Sequence, residues 1–148
     1  MNGISNGNVL QGRTAIITGA SQGLGLEIAR QYVAAGASVI ICARDEGMLS
    51  EAADVLKRSA SNDQVIFNMV ADVAEAEAVD ALIEFAIDKM GRIDILVNNA
   101  GIYGPKGPTD SVDWAQWIQA ININLLGSVL MCRAVAGFEV KGPEILKE

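Results

Sequence analysis

Thr14-Ala15-Ile16-Ile17-Thr18-Gly19-Ala20-Ser21-Gln22-Gly23-Leu24-Gly25 is the stretch from which the rest of the chain can be read. Thr14 to Thr18 is a short apolar run that suits a buried strand, and it stops at a glycine. From Gly23 to Ala35 the period changes: Leu24, Ile28, Tyr32 and Ala35 share one helical face, and Gly36 ends the helix as a cap glycine does. The turn between them is glycine-rich. Gly19 lets the chain leave the strand sharply, Gly23 removes a Cβ where backbone would approach a pyrophosphate, and Gly25 lets the helix pack close to the sheet. The helix N-terminus then offers free N–H groups and the positive end of its dipole to phosphate. The alternative is a tight structural turn whose glycines are incidental.

Working outward, strand and helix patterns alternate. Ser38–Ala43 reads as a second buried strand, Glu46 to about Ala60 as a polar helix, Ser59–Asp63 as a turn and Val65–Val70 as a third strand. Asp72 is expected to cap the next helix, with Glu75 three residues on. In that helix Val79, Leu82, Ile83, Ala86, Ile87 and Met90 form one apolar face, and Met90-Gly91 ends it. Ile93–Asn98 is a fourth strand. Gly101–Asp110 carries three glycines and two prolines and is a loop. A last helix is predicted from about Ser111 to Ala136. Alternation of this kind, with continuously apolar strands, implies an α/β fold: a doubly wound parallel sheet covered on both faces. Residues 1–148 read as one partial domain of this type, after a polar leader over 1–12.

The 148 residues are 51% hydrophobic and 20% charged, which is ample for a core. Eleven basic against eighteen acidic residues give a net charge of −7, a poor balance for nucleic acid or an anionic membrane. No histidine is present, so Ser-His-Asp chemistry, Cys-His pairs and histidine metal sites are excluded within these residues; no metal is expected. Cys42 and Cys132 read as small buried hydrophobes. The N-terminus has neither a basic nor an apolar signal region. The longest nearly apolar stretch, Leu125–Cys132, is short of the ~20 residues of a membrane span. The chain is expected to be soluble and cytoplasmic.

Ligands of such sheets lie beyond the carboxyl ends of the strands. Two ends carry polar side chains of interest. The fourth closes on Asn98-Asn99-Ala100-Gly101, whose amides suit a ribose or neighbouring loops. The second closes on Ala43-Arg44: no acidic residue stands where one would hold a ribose 2′-hydroxyl, and a guanidinium that can chelate a 2′-phosphate follows. NADP(H) is therefore expected ahead of NAD(H). Asp45 and Glu46 partly offset that charge, and the alternative is an Arg44 merely solvated at a strand end.

These motifs together resemble the main, single-domain branch of the short-chain dehydrogenase/reductase family, whose cofactor domain is of the Rossmann type. The resemblance rests on TGASQGLG at 18–25, Asp72-Val73 after the third strand, Asn98-Asn99-Ala100-Gly101 after the fourth, and Trp117 and Asn124 followed by Gly127, over residues 12 to about 136. It implies a cofactor-dependent oxidoreductase acting on a carbonyl or secondary alcohol, with a 3-oxoacyl-type reductase as the default. It further implies that Gly19, Ala20, Ser21, Gln22, Gly23, Leu24 and Gly25 line the pyrophosphate and adenosine ribose. Asp72 and Val73 would hold the adenine, and Asn99, Ala100 and Gly101 would flank the nicotinamide ribose. Asn124 would be the catalytic asparagine, kinking its helix and placing a water toward a catalytic lysine. For Asn124 the alternative is an interior polar residue satisfied by a nearby carbonyl; Asn122 reads as structural, Trp114 and Trp117 as core packing, and Tyr103 and Lys106 as surface residues.

The family's chemistry also needs a tyrosine with a lysine four residues on. Here Tyr32 is followed at that distance by Gly36 and Tyr103 by Gly107. A fifth strand is expected shortly after residue 140, yet the tail over 137–148 does not match the pattern. The expectation is an N-terminal part of the enzyme, whether fragment, truncated product or natural remnant; the competing reading is an inactive nucleotide-binding or interaction module. The 111–136 helix has two apolar stripes. One runs through Trp114, Trp117, Ile118, Ile121, Leu125, Val129 and Cys132, the other through Ile123, Leu126, Leu130 and Ala134. A homo-oligomer through this helix is therefore expected.

Overall fold

The computed structural model describes residues 8–139; the leader up to residue 7 and the tail from residue 140, with the expected fifth strand, lie outside the described residues. In chain order the elements are β1 (Thr14–Thr18), α1 (Gly23–Ala34), β2 (Ser38–Ala43), α2 (Glu46–Ser59), β3 (Ile66–Val70), α3 (Ala76–Met90), β4 (Ile95–Val97), α4 (Trp114–Ile121), a π-helical turn (Asn122–Leu126) and α5 (Gly127–Glu139). The four strands form one parallel sheet in the order β3-β2-β1-β4. Strand alternation sends Ala15, Ile17, Val39 and Ile41 to one face, where they meet Ala29 and Val33 of α1 and Leu49 and Leu56 of α2. Ile16, Ile40 and Cys42 point to the other, against Val79, Leu82 and Ile83 of α3 and Ile123 and Met131 of the last helix.

Several boundaries differ from those the sequence suggests, each for a local reason. Asp72 does not cap α3. Its Oδ1 accepts from Ala74 N at 2.9 Å and its carbonyl from Glu75 N, so it heads a turn of its own and α3 begins at Ala76. β4 is three residues long, not six, because Asn99 N turns back onto the Val97 carbonyl. The last helix starts at Trp114, where Asp113 caps it by accepting from Ala115 N at 2.8 Å, and it is interrupted by the π turn.

Burial on that helix also departs from expectation. Trp114 is 72% and Trp117 38% exposed, and Cys132 is exposed, so none of the three is core. The sheet and α3 supply only one contact face. Ile123 and Met131 are buried there, with Leu130 and Ala134 packed beside them. The stripe from Trp114 through Ile118, Ile121 and Leu125 to Val129 faces away and is exposed, as is Leu126. The continuous helix Trp114–Phe138 is also long and apolar enough to cross a membrane by length and composition, unlike the eight-residue stretch visible in the sequence.

At the amino ends of the strands Asp94 ties β4 to β1. Its carboxylate, 8% exposed, accepts from Thr14 N at 2.9 Å and pairs with Arg13 and Arg92. Burial pushes this carboxyl up, but the Thr14 N–H and the Arg92 and Arg13 guanidinium groups outweigh it and hold it below its ordinary value. A lowered native value stabilises the fold above the unfolded carboxylate's pKa of about 4, and that contribution is lost as pH falls through the native value. Asp94→Asn is expected to cost about 1–2 kcal/mol at neutral pH. Urea melts from pH 7 downward should show the gap between the two proteins closing only below about pH 4.

Candidate functional site

The carboxyl ends of all four strands meet at a cleft of about 270 Å³, lined by Gly19, Ser21 and Gln22 after β1, Cys42 and Ala43 of β2 with Arg44, Asp45 and Met48 beyond it, Ala71–Val73 after β3, Ala100–Ile102 after β4, and Ile123. The topological switch between β1 and β4 opens here, as doubly wound sheets require of a ligand crevice.

The floor of the cleft is built by hydrogen bonds between the loops after β1 and β4. The Thr18 hydroxyl, 1% exposed, accepts from Asn99 N and Ala100 N, both at 3.0 Å. The Asn99 amide donates back to the Thr18 carbonyl at 2.9 Å and the Gly19 carbonyl at 3.0 Å. Gly19 has φ +64°, and a Cβ there would lie 2.7 Å from Ala100 Cα. Gly25 is constrained by packing: a Cβ would meet the Asn99 amide and lie 2.5 Å from the Gly19 carbonyl. Gly23 is different. Its φ is +58°, yet nothing lies within 4 Å of the Cβ position.

The side walls carry the charge. Asp72 is held by its bond from Ala74 N, and its other oxygen lies 3.8 Å from Arg44 Nη1. Asp45 accepts from Met48 N at 2.8 Å and so caps α2. Burial pushes the Cys42 thiol up to about 12 against a backbone hydrogen bond with Gly19, which makes it an inert part of the floor.

Asn124 sits in the π turn. Its Oδ1 accepts from Ile102 N and its Nδ2 donates to the Ile102 carbonyl, both at 2.8 Å. The side chain pins the loop after β4. Gly127, one turn on, packs so close to β3's loop that a Cβ would lie 2.8 Å from Val73 Cγ2. Asn122 is exposed. Tyr103 is 90% exposed, with Lys106 5.1 Å from its ring centre.

Of the residues singled out in the sequence, Gly19, Ser21, Gln22, Arg44, Asp72, Val73, Ala100 and Gly101 line the cleft. Ala20 is buried; Gly25 and Asn99 underlie the cleft and Asn124 braces it. Gly23, with nothing within 4 Å of its Cβ position, and Leu24, 70% exposed, do not line it. The sequence reading missed Cys42, Ala71, Ile102 and Ile123, whose one signal is their place at or beside a strand end or next to Asn124, and Met48 in the first turn of α2. The arrangement fits one end of a dinucleotide. Open space over Gly23 leaves room where a pyrophosphate would approach; α1 begins there with no side-chain cap, so its first N–H groups, which no helix satisfies internally, have no side-chain acceptor at the cap either.

A family model described as short chain dehydrogenase matches residues 13–143. The chain is 38% identical over 132 residues to subunit BbsD of a hydroxy(phenyl)methylsuccinyl-CoA dehydrogenase of Thauera aromatica, covering 89% of this chain and 52% of that one. It is 38% identical over 120 residues to the chloroplastic chlorophyll(ide) b reductase NOL of Oryza sativa subsp. japonica, covering 80% and 34%. Among solved structures, a metagenomic short-chain oxidoreductase in complex with NADP superposes with a TM-score of 0.79 at 33% identity, over 86% of this chain and 57% of that one. The chain thus spans about a third of the length of one of these curated relatives and about half of the other.

The two glycines predict opposite outcomes. Gly25→Ala is expected to destabilise the fold by about 1–3 kcal/mol, because the methyl overlaps backbone. Gly23→Ala costs only about 1–2 kcal/mol of left-handed strain but weakens nucleotide binding by filling the open space. Thermal melts and nucleotide titrations of both variants check this.

Proposed function

The chain belongs to the short-chain dehydrogenase/reductase family, and on that premise we propose that it is the cofactor-binding part of an NADP(H)-preferring oxidoreductase. The whole enzyme would move a hydride between the cofactor and a carbonyl or secondary alcohol, with a 3-oxoacyl-type substrate as the default. The observation that carries the cofactor preference is Arg44 on the cleft wall, after an alanine and not a carboxylate at the end of β2. Two further findings support it: the Asp45 carboxylate on the cleft wall is engaged by Met48 N as the α2 cap, and a relative of known structure holds NADP. The acyl-thioester default is supported by the hydroxy(phenyl)methylsuccinyl-CoA dehydrogenase among the relatives.

When bound, the cofactor supplies the hydride. This chain's residues bind and orient. The uncapped N-terminus of α1 and the bare backbone at Gly19 and Gly23 would face the pyrophosphate. Asp72 would accept from the adenine amino group and Arg44 would meet the 2′-phosphate. Asn124 holds Ile102, and with it Ala100 and Gly101, which would flank the nicotinamide ribose. Neither tyrosine has a lysine four residues on, so these 148 residues offer no group to pass a proton to the substrate oxygen, a step worth roughly 10²–10⁴-fold. That absence favours a second reading, in which this polypeptide binds nucleotide without turnover. The exposed stripe from Trp114 to Val129 supports the further proposal of a homo-oligomer through residues 111–136.

Fluorescence titration of the 148-residue chain should give tighter binding of NADPH than of NADH. Arg44→Ala should abolish the difference, and no carbonyl substrate should be reduced; equal affinities, or turnover, would refute the respective parts. Light scattering on the eluting protein should find assemblies larger than one chain, and a cooperatively melting monomer would count against the oligomer.

A further inference from the structure

Arg44 and Asp72 leave adjacent parallel strands at the same end. The ladder pairs Ala43 with Val70, and the Ala71 N–H continues it by donating to the Ala43 carbonyl at 3.1 Å. The register therefore brings the two side chains to the same wall of the cleft, where Arg44 Nη1 and Asp72 Oδ2 are 3.8 Å apart. The pair is asymmetric. Asp72 is fixed through its other oxygen by Ala74 N, and its side chain is 33% exposed; the Arg44 side chain is 56% exposed and has no side-chain hydrogen bond among the described residues. Asp45 and Glu46, the acidic neighbours in sequence, are not its partners. Asp45 is engaged at Met48 N, and among the described residues Asp72 is the one carboxylate within 4 Å of Arg44.

We infer that Asp72 is a specificity-determining residue for the phosphorylation state of the adenosine ribose, because it holds Arg44 as a counter-ion that a 2′-phosphate must take from it. The inference rests on the reading of the cleft as a nucleotide site and goes beyond it. It makes adenine recognition and 2′-phosphate recognition coupled, since the carboxylate that faces the adenine is also the competitor for the guanidinium. A ligand without the 2′-phosphate leaves the ion pair intact and encounters no competition. A ligand with it pays to break the pair and places its own charge near a carboxylate that cannot swing away. Arg44 thus favours NADP-type ligands while Asp72 moderates that preference. Partly exposed ion pairs of this sort shift affinities by roughly two- to fivefold, and the carboxylate–phosphate repulsion adds to that.

The test uses the full 148-residue chain and two small probes, AMP and adenosine 2′,5′-bisphosphate, titrated calorimetrically. Asp72→Asn keeps an oxygen for Ala74 N but removes the charge, and Asp72→Ser keeps an acceptor should the amide disturb the turn. Either is expected to raise the preference for the bisphosphate over AMP by roughly three- to tenfold, with the gain shrinking at 0.5 M salt. In an Arg44→Ala background the same substitution should give a smaller gain, the part that comes from direct carboxylate–phosphate repulsion. An unchanged or lowered preference in both Asp72 variants overturns the inference, as does a gain that persists in full without Arg44. If the unsubstituted chain binds neither probe, the nucleotide reading of the cleft fails and takes this inference with it; binding of both probes with an unmoved ratio removes this inference alone.

Discussion

The buried Thr18–Asn99 contact is the constraint on which the site depends. Two loops that leave parallel strands in the same direction must be held together although no ladder continues between them. Their polar groups are out of water and would each be costly if unpaired. The Thr18 hydroxyl solves this by accepting two backbone N–H groups, and the Asn99 amide by donating to two carbonyls. Once the knot is tied, the neighbouring positions lose their freedom. Gly19 cannot carry a Cβ because Ala100 is against it, and Gly25 cannot because Asn99 and the Gly19 carbonyl are. Only Gly23 stands clear. Two of the three glycines of the turn thus serve internal packing, and one leaves open space above the backbone.

The strands and helices were legible because their periods are strong: β1, β2 and the apolar face of α3 fall where period two and period 3.6 place them. Ends were less legible. Asp72 fits the composition of a helix cap, but a cap and a turn-forming aspartate use the same short-range oxygen, and only the position of the next N–H separates them. Burial on the last helix could not be read from apolarity. Trp114 and Trp117 are as hydrophobic as core residues, but whether they are covered depends on which elements lie over that face, and the sheet and α3 cover the other one.

Within the site, charged and glycine residues announced themselves, whereas Cys42, Ala71 and Ile102 did not. They shape the cleft with backbone and small apolar surface, so no side-chain chemistry flags them; only their position at or just beyond a strand end does. Asn99 and Asn124 show the converse. Both carry the chemistry of a ligand-binding amide, and in both the amide is engaged with the protein backbone. Within the described residues, what both amides do is hold the loops after β1 and β4 in place.

The π turn explains how one helix can brace two of those loops. Asn124 must reach Ile102 after β4, and Gly127 must lie against Val73 after β3. In a regular α-helix, residues three apart are about 60° away from eclipsing, and a fixed rotation separates the two contacts. The Gly127 N–H instead reaches back five residues, to the Asn122 carbonyl, which widens the turn and changes that rotation. Single π turns cost hydrogen-bond geometry and persist where a function or a second contact compensates for them. Here the compensation is visible on both sides: two 2.8 Å bonds from Asn124 and a close helix-to-loop approach at Gly127. Restoring α-geometry by deleting one residue of the turn would release one contact or the other, so the loop after β3 that carries Asp72 and the loop after β4 that carries Gly101 are held by the same irregularity.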